Sequence, residues 1–231
     1  MTKMVSLRIF NTPVRVKPIV FLLVAAIWAG ATGLDLYWHP GRGFWPAVLI
    51  GFATMVLLIL ADFGHALGHI FSARYAGAPM DEIRITVTQM PHTLYENNAV
   101  SPDVHRLRAL GGPVFNLLCL LLSIAVFAVA PAGSVARELA TWSASGHSMI
   151  LIMSLAPLPI VDGGTLLKWT LVARGWSETA AEATMRRAGW LFGVAAVLLG
   201  LGLLALQVWI IGGIFAAAGI IILGIAAGVV R

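Results

Sequence analysis

Charge is scarce in this chain. Asp, Glu, Lys and Arg make up 11% of the 231 residues, while 59% are hydrophobic and the mean hydropathy is +0.91. Soluble domains carry about 25% charged residues, so a soluble globular domain is excluded, and so is a disordered chain, which needs low hydrophobicity. Cysteine is nearly absent: Cys119 alone excludes an internal disulfide and any cysteine-based zinc site. Internal repeats and low-complexity linkers are missing as well. The apolar runs are about 20 residues long and do not alternate, which excludes a β-barrel. The net charge of +5 does not mark a nucleic-acid reader, because the basic residues sort by membrane side instead of forming one face. What remains is an all-α polytopic membrane protein.

A membrane helix needs about 20 mostly apolar residues. Candidate spans are Pro18 to Leu34, Trp45 to Tyr75, Leu107 to Ala130, and a proline-interrupted Ala140 to Val172. Ala188 to Val230 would make about 64 Å of helix, twice the hydrocarbon thickness. It therefore reads as two spans turning near Gln207 to Gly213, giving about six in all. The organisation expected is a single membrane domain over 1–231. It comprises a first span in 1–44, a core in 45–172, a cytoplasmic β element in 78–104 and the last two spans in 173–231. Of the 15 Lys and Arg residues, all but Arg42 and Arg137 fall on one side, so both termini are expected to be cytoplasmic. The membrane expected is a bacterial or archaeal plasma (inner) membrane. Ala29-Gly-Ala31 vaguely matches a signal cleavage site, but the polar lead is long for one, so the first span is expected to stay.

Between spans two and three, Ile83, Ile85 and Val87 alternate with Arg84, Thr86 and Thr88. This period of two in β-branched residues predicts a strand at the cytoplasmic surface, followed by a turn and a less regular return over Gln89 to Asn98. Gly64 with Gly68, and Gly224 with Gly228, form small-residue faces suited to close helix packing.

Ionisable groups at membrane depth are costly and mark function. Here they are Asp62, His65, His69 and Asp162, with His147 nearer the outer side and Asn116 and Ser154 adding polarity. His65 and His69 are spaced i, i+4, so a helix puts both imidazoles on one face, able to chelate one metal. The alternative is two histidines bonded to neighbouring polar groups. Asp162 lies in Pro157-Leu-Pro-Ile-Val-Asp162-Gly-Gly, where prolines and glycines break the helix and free backbone groups at depth. Its alternative is a helix cap. Counted along their spans, His65, Asp162 and Asn116 fall at similar depth in the cytoplasmic half. Two His and one carboxylate, with a fourth position open, are a catalytic zinc ligand set. Of the other histidines, His92 and His105 read as solvated, His39 lies in an outer turn, and His147 has no evident partner.

In combination these segments resemble the site-2 proteases, a family of intramembrane zinc metalloproteases. The family's His-Glu-x-x-His is matched by His65-Ala66-Leu67-Gly68-His69. Its Asn-x-x-Pro-x-Pro-x-x-Asp-Gly is matched by Ser154-Leu-Ala-Pro157-Leu-Pro159-Ile-Val-Asp162-Gly163, and its Gly-Pro-x-x-Asn by Gly112-Pro113-Val-Phe-Asn116. The resemblance covers about residues 50 to 170. It implies one Zn2+ per chain on His65, His69 and Asp162, with Asn116 holding substrate or transition state. It also implies a transmembrane protein substrate bound through an added strand at Ile83, Ile85 and Val87.

Two departures stand out. Ser154 replaces the family's Asn, which weakens the expected substrate contact. Ala66 replaces the Glu that acts as general base, so the site is expected to form and to be inactive or strongly impaired. Ala66 reads as an introduced replacement, as the mark of a natural pseudoprotease that binds transmembrane segments uncut, or as compensated by another base. Asp62, one helical turn away, is the weak candidate for that base, with orienting a ligand imidazole as its plainer role. A bis-histidine haem protein is disfavoured because one helix cannot ligate both faces of a haem, and a transporter because no inverted repeat is present.

Overall fold

In the computed structural model, residues 4–86 and 91–229 are described. Val87, a candidate substrate contact, and Thr88 lie outside the described residues. In chain order the elements are β1 (Val5–Ile9), β2 (Thr12–Val16), α1 (Ile19–Trp38), α2 (Phe44–Tyr75), β3 (Glu82–Ile85), β4 (His92–Leu94), α3 (Pro102–Val129), α4 (Val135–Ser154), α5 (Asp162–Ala173), α6 (Glu178–Ala205) and α7 (Trp209–Ala226). They fall into two compact units. The first is Met1–Ala99 with Gly111–Leu151; the second is Val100–Leu110 with Ile152–Arg231. Among the described residues four helices, α1, α2, α3 and α6, are long and apolar enough to cross a membrane, and Gly212–Ala226 within α7 is a shorter apolar stretch.

The β element of the first unit is larger than the sequence suggested. It is a four-stranded sheet in the order β1-β2-β3-β4, and half of it comes from the polar lead before α1. Val5, Leu7 and Ile9 alternate with Ser6 and Arg8, and the chain reverses at Phe10 and Asn11, whose φ angles are 47° and 60°. Positive φ at both central residues is the primed turn that matches strand twist. β2 then pairs in parallel with β3, setting Val14 against Ile83 and Val16 against Ile85, while β4 pairs antiparallel on the far side of β3. Val14, Val16 and Ile83 are buried against Ala66, Ile70 and Ala73 of α2. The sheet is thus fastened to one face of the histidine-bearing helix.

Glycine sets how closely α2 and α3 approach. A Cβ on Gly68 would run into the Gly111 carbonyl, and one on Gly64 into the Phe115 ring. Gly68→Val should therefore cost more than about 3 kcal/mol, because a branched side chain would push against backbone that cannot yield. Thermal unfolding in detergent measures this, and a midpoint within about 2 °C of the parent would contradict the packing.

The expected proline-interrupted span is two helices, α4, which ends at Ser154 just inside the second unit, and α5, which starts at Asp162. A Cβ on Gly163 would meet the Leu155 carbonyl, and one on Gly164 the Leu158 carbonyl, so the broken segment folds back onto the start of α5. The expected turn near Gln207 is present, with Gln207 itself at φ 63°. α6 and α7 pack through Gly193 and Gly200 against Leu223, Gly212 and Ala216. Of the small-residue pair expected at Gly224 and Gly228, Gly228 lies beyond the end of α7, at φ 76°. His105 is also corrected: it is 8% exposed and its ring stacks on Trp169 at 3.8 Å and 3°. The indole face provides cover that the hydrophilic surroundings of His105 in sequence did not suggest.

Candidate metal centre

α2 presents its two histidines as the i, i+4 spacing requires. The Nε2 atoms of His65 and His69 lie 3.1 Å apart, with ring planes at 82°. Two nitrogens bound to one tetrahedral zinc at about 2.0–2.1 Å stand roughly 3.4 Å apart. The two nitrogens, within hydrogen-bond distance of each other, thus stand at nearly the chelating separation. His69 is buried, and Ser72 Oγ donates to its carbonyl at 3.2 Å. Room for the His65 ring comes from α3, since a Cβ on Gly112 would run into that imidazole.

Asn116 lies one turn beyond Gly112 on the same face of α3. It is 0% exposed, and neither its amide oxygen nor its amide nitrogen has a hydrogen-bond partner among the described residues. A buried amide left unpaired costs about 1–3 kcal/mol.

Ala66 is 1% exposed and faces the sheet within the cluster of Val14, Val16, Val20, Ile70 and Ile83. Asp62, one turn earlier, lines a mostly apolar cavity of about 140 Å³ with Val20, Val24, Phe63 and Ile85. Ile83 requires a correction. Its strand is interior, paired with Val14 on one side and Thr93 on the other, and its side chain is fully buried. It is a packing residue, and β3 is not a free edge along it; the edges are β1 and β4. Ile85 pairs with Val16 and lines the Asp62 cavity. The sequence pattern identified the strand correctly but could not reveal that the polar lead supplies its neighbour.

Asp162 and Ser154 belong to the second unit. Asp162 is the first residue of α5, where an acidic side chain suits the helix dipole. The N-cap is Val161, and it makes no side-chain capping bond, so Asp162 is not the cap itself. Ser154 closes α4 and is buried. Gly111 and Phe115, which shape the α2–α3 contact, were not singled out from the sequence; the small residues flanking Pro113 were the available signal.

No family model matches the chain. A Mycobacterium tuberculosis protein provisionally named zinc metalloprotease Rip3, found in strains Erdman and H37Rv, is 29% identical over 184 residues, which is 76% of this chain and 44% of that protein. The chain thus spans less than half the length of the curated relatives it matches. Among solved structures, the site-2 protease from Methanocaldococcus jannaschii superposes with a TM-score of 0.57 at 16% identity, covering 99% of this chain and 96% of that one. That likeness is one of fold.

Proposed function

We propose that this chain is an intramembrane zinc metalloprotease of the site-2 protease type, impaired as written by Ala66; the sequence likeness to a zinc metalloprotease and the fold likeness to a site-2 protease support that reading. The observation that carries the reading is the convergence of the His65 and His69 nitrogens at 3.1 Å on a glycine-lined face. With Asp162 as third ligand they would hold one zinc, the ligand count that leaves a catalytic position open. Zinc bound there would polarise a peptide carbonyl and lower the pKa of a bound water to about 7. The chain's own contribution is binding and orientation. The Asn116 amide has both a donor and an acceptor to offer a substrate backbone, and an extended segment would add to the sheet at β1 or β4. Ala66 has no group with which to take a proton, and Asp62 remains a weak substitute.

The substrate proposed is a membrane-spanning protein, met within the bilayer. α4 and α7 would bring the spans to six, and the Lys and Arg distribution supports cytoplasmic termini. A second reading, a pseudoprotease that binds transmembrane segments uncut, is favoured by one observation: position 66 is packed into the apolar cluster that joins α2 to the sheet. Metal analysis of the detergent-purified chain tests the centre. His69→Ala should remove one equivalent of zinc, and an unchanged count would reject it.

A further inference from the structure

At the opposite end of α1 from the sheet, Asp35, His39 and Glu138 each offer a ligand atom, all within 4.8 Å of one another. Asp35 and His39 are one turn apart at the end of α1, and Glu138 comes from the first turn of α4. All three belong to the first unit. His65 lies roughly 30 Å further along α2 from this end, so the cluster is separate from the histidine pair described above.

The charges of the cluster are unbalanced. Arg42 bonds Glu138 at 2.9 and 3.2 Å and also bonds Asp35, so one guanidinium faces two carboxylates. Asp35 is only 4% exposed, and its Oδ2 has no hydrogen-bond partner among the described residues. It also sits in the last turn of α1, which carries no basic residue, where the helix dipole repels an anion and favours a cation. One oxygen of this buried carboxylate is thus left open beside the shared Arg42 guanidinium and the His39 imidazole. The distances suit a metal. His39 Nδ1 is 3.1 Å from Asp35 Oδ1 and 4.0 Å from Glu138 Oε1, against roughly 3.4 Å for two ligands on one tetrahedral zinc, so Glu138 would close in by about half an ångström. A cavity of about 250 Å³ lined by His39, Ser134, Glu138 and Thr141 leaves space for a water as further ligand.

We propose that Asp35, His39 and Glu138 form a second metal site for a divalent cation of the zinc type, which would tie the end of α1 to the start of α4. One nitrogen and two carboxylate donors suit zinc more than calcium or magnesium, which prefer all-oxygen shells. Arg42 is the built-in competitor: it shares the carboxylates and must release Asp35 when the ion enters.

The test is equilibrium dialysis of the tag-free, detergent-purified chain against zinc, with the bound metal counted. A His65→Ala/His69→Ala chain should still hold about one equivalent, and adding His39→Gln or Asp35→Asn should remove it. His39 is half-exposed, so His39→Gln leaves the Arg42 bridge intact and guards against misfolding as the cause of loss. Arg42→Gln should bind zinc about tenfold more tightly, since it removes a like charge within a few ångströms. The proposal is overturned if the double variant holds no zinc. It is equally overturned if an equivalent survives His39→Gln, Asp35→Asn and Glu138→Gln alike, or if Arg42→Gln weakens binding. Failure of the histidine centre would appear separately, as an equal zinc count in the parent and the double variant.

Discussion

Ala66→Glu should switch on cleavage of a single-span reporter protein, raising the rate by about 10²–10⁴ over the parent, the range a general base supplies. Position 66 is next to His65 in α2, and activation requires a Glu there to carry its carboxylate out of the apolar cluster toward the histidine nitrogens. The same carboxylate would pass Val14, Val16 and Ile83. The metal-free variant should therefore be less stable than the parent, by an amount that zinc restores through binding only the folded form. Gel analysis of the reporter, with and without a chelator, reads the first effect, and unfolding midpoints with and without zinc read the second. A folded, zinc-loaded Ala66→Glu chain that leaves the reporter whole would move the assignment to the pseudoprotease.

Asn116→Leu should separate function from stability. The amide is fully buried, with both polar atoms unpaired among the described residues. An apolar side chain of similar size removes that desolvation cost, so the variant should gain about 1–3 kcal/mol in the absence of substrate. In the Ala66→Glu background the same change should lower cleavage by about 10²–10³, the loss typical of removing one positioned donor from a transition state. Denaturant unfolding and the reporter assay measure the two effects. A destabilised Asn116→Leu chain would mean that the amide has a structural partner, and the proposed role for Asn116 would fall.

Within the chain, local patterns made some features legible and left others hidden. The helices could be read because twenty-residue apolar runs have no other stable form in lipid. The break before Asp162 was legible because Pro157 and Pro159 cannot continue a helix, and the His65–His69 face because a helical period is a local property. The Gln207 turn followed from length alone, since one helix of that span would be twice too long.

The sheet was only half legible. β3 showed its alternation, but the parallel partner that makes it interior is β2, which lies on the far side of α1 and α2 in sequence. Strand pairing across such a distance leaves no mark in either strand. The environment of Ala66 was likewise undetermined: sequence identified the missing carboxylate, while only the packing of β2 and β3 on α2 revealed what its replacement touches. The Asp35–His39–Glu138 cluster depends on a contact between positions 42 and 138, which are 96 residues apart. Periodicity, propensity and motif spacing are short-range properties and determined the helices and the histidine pair. Which strands meet, what buries Ala66 and Asn116, and which charges gather at the end of α1 depend on distant segments meeting in space, and only the tertiary structure decided them.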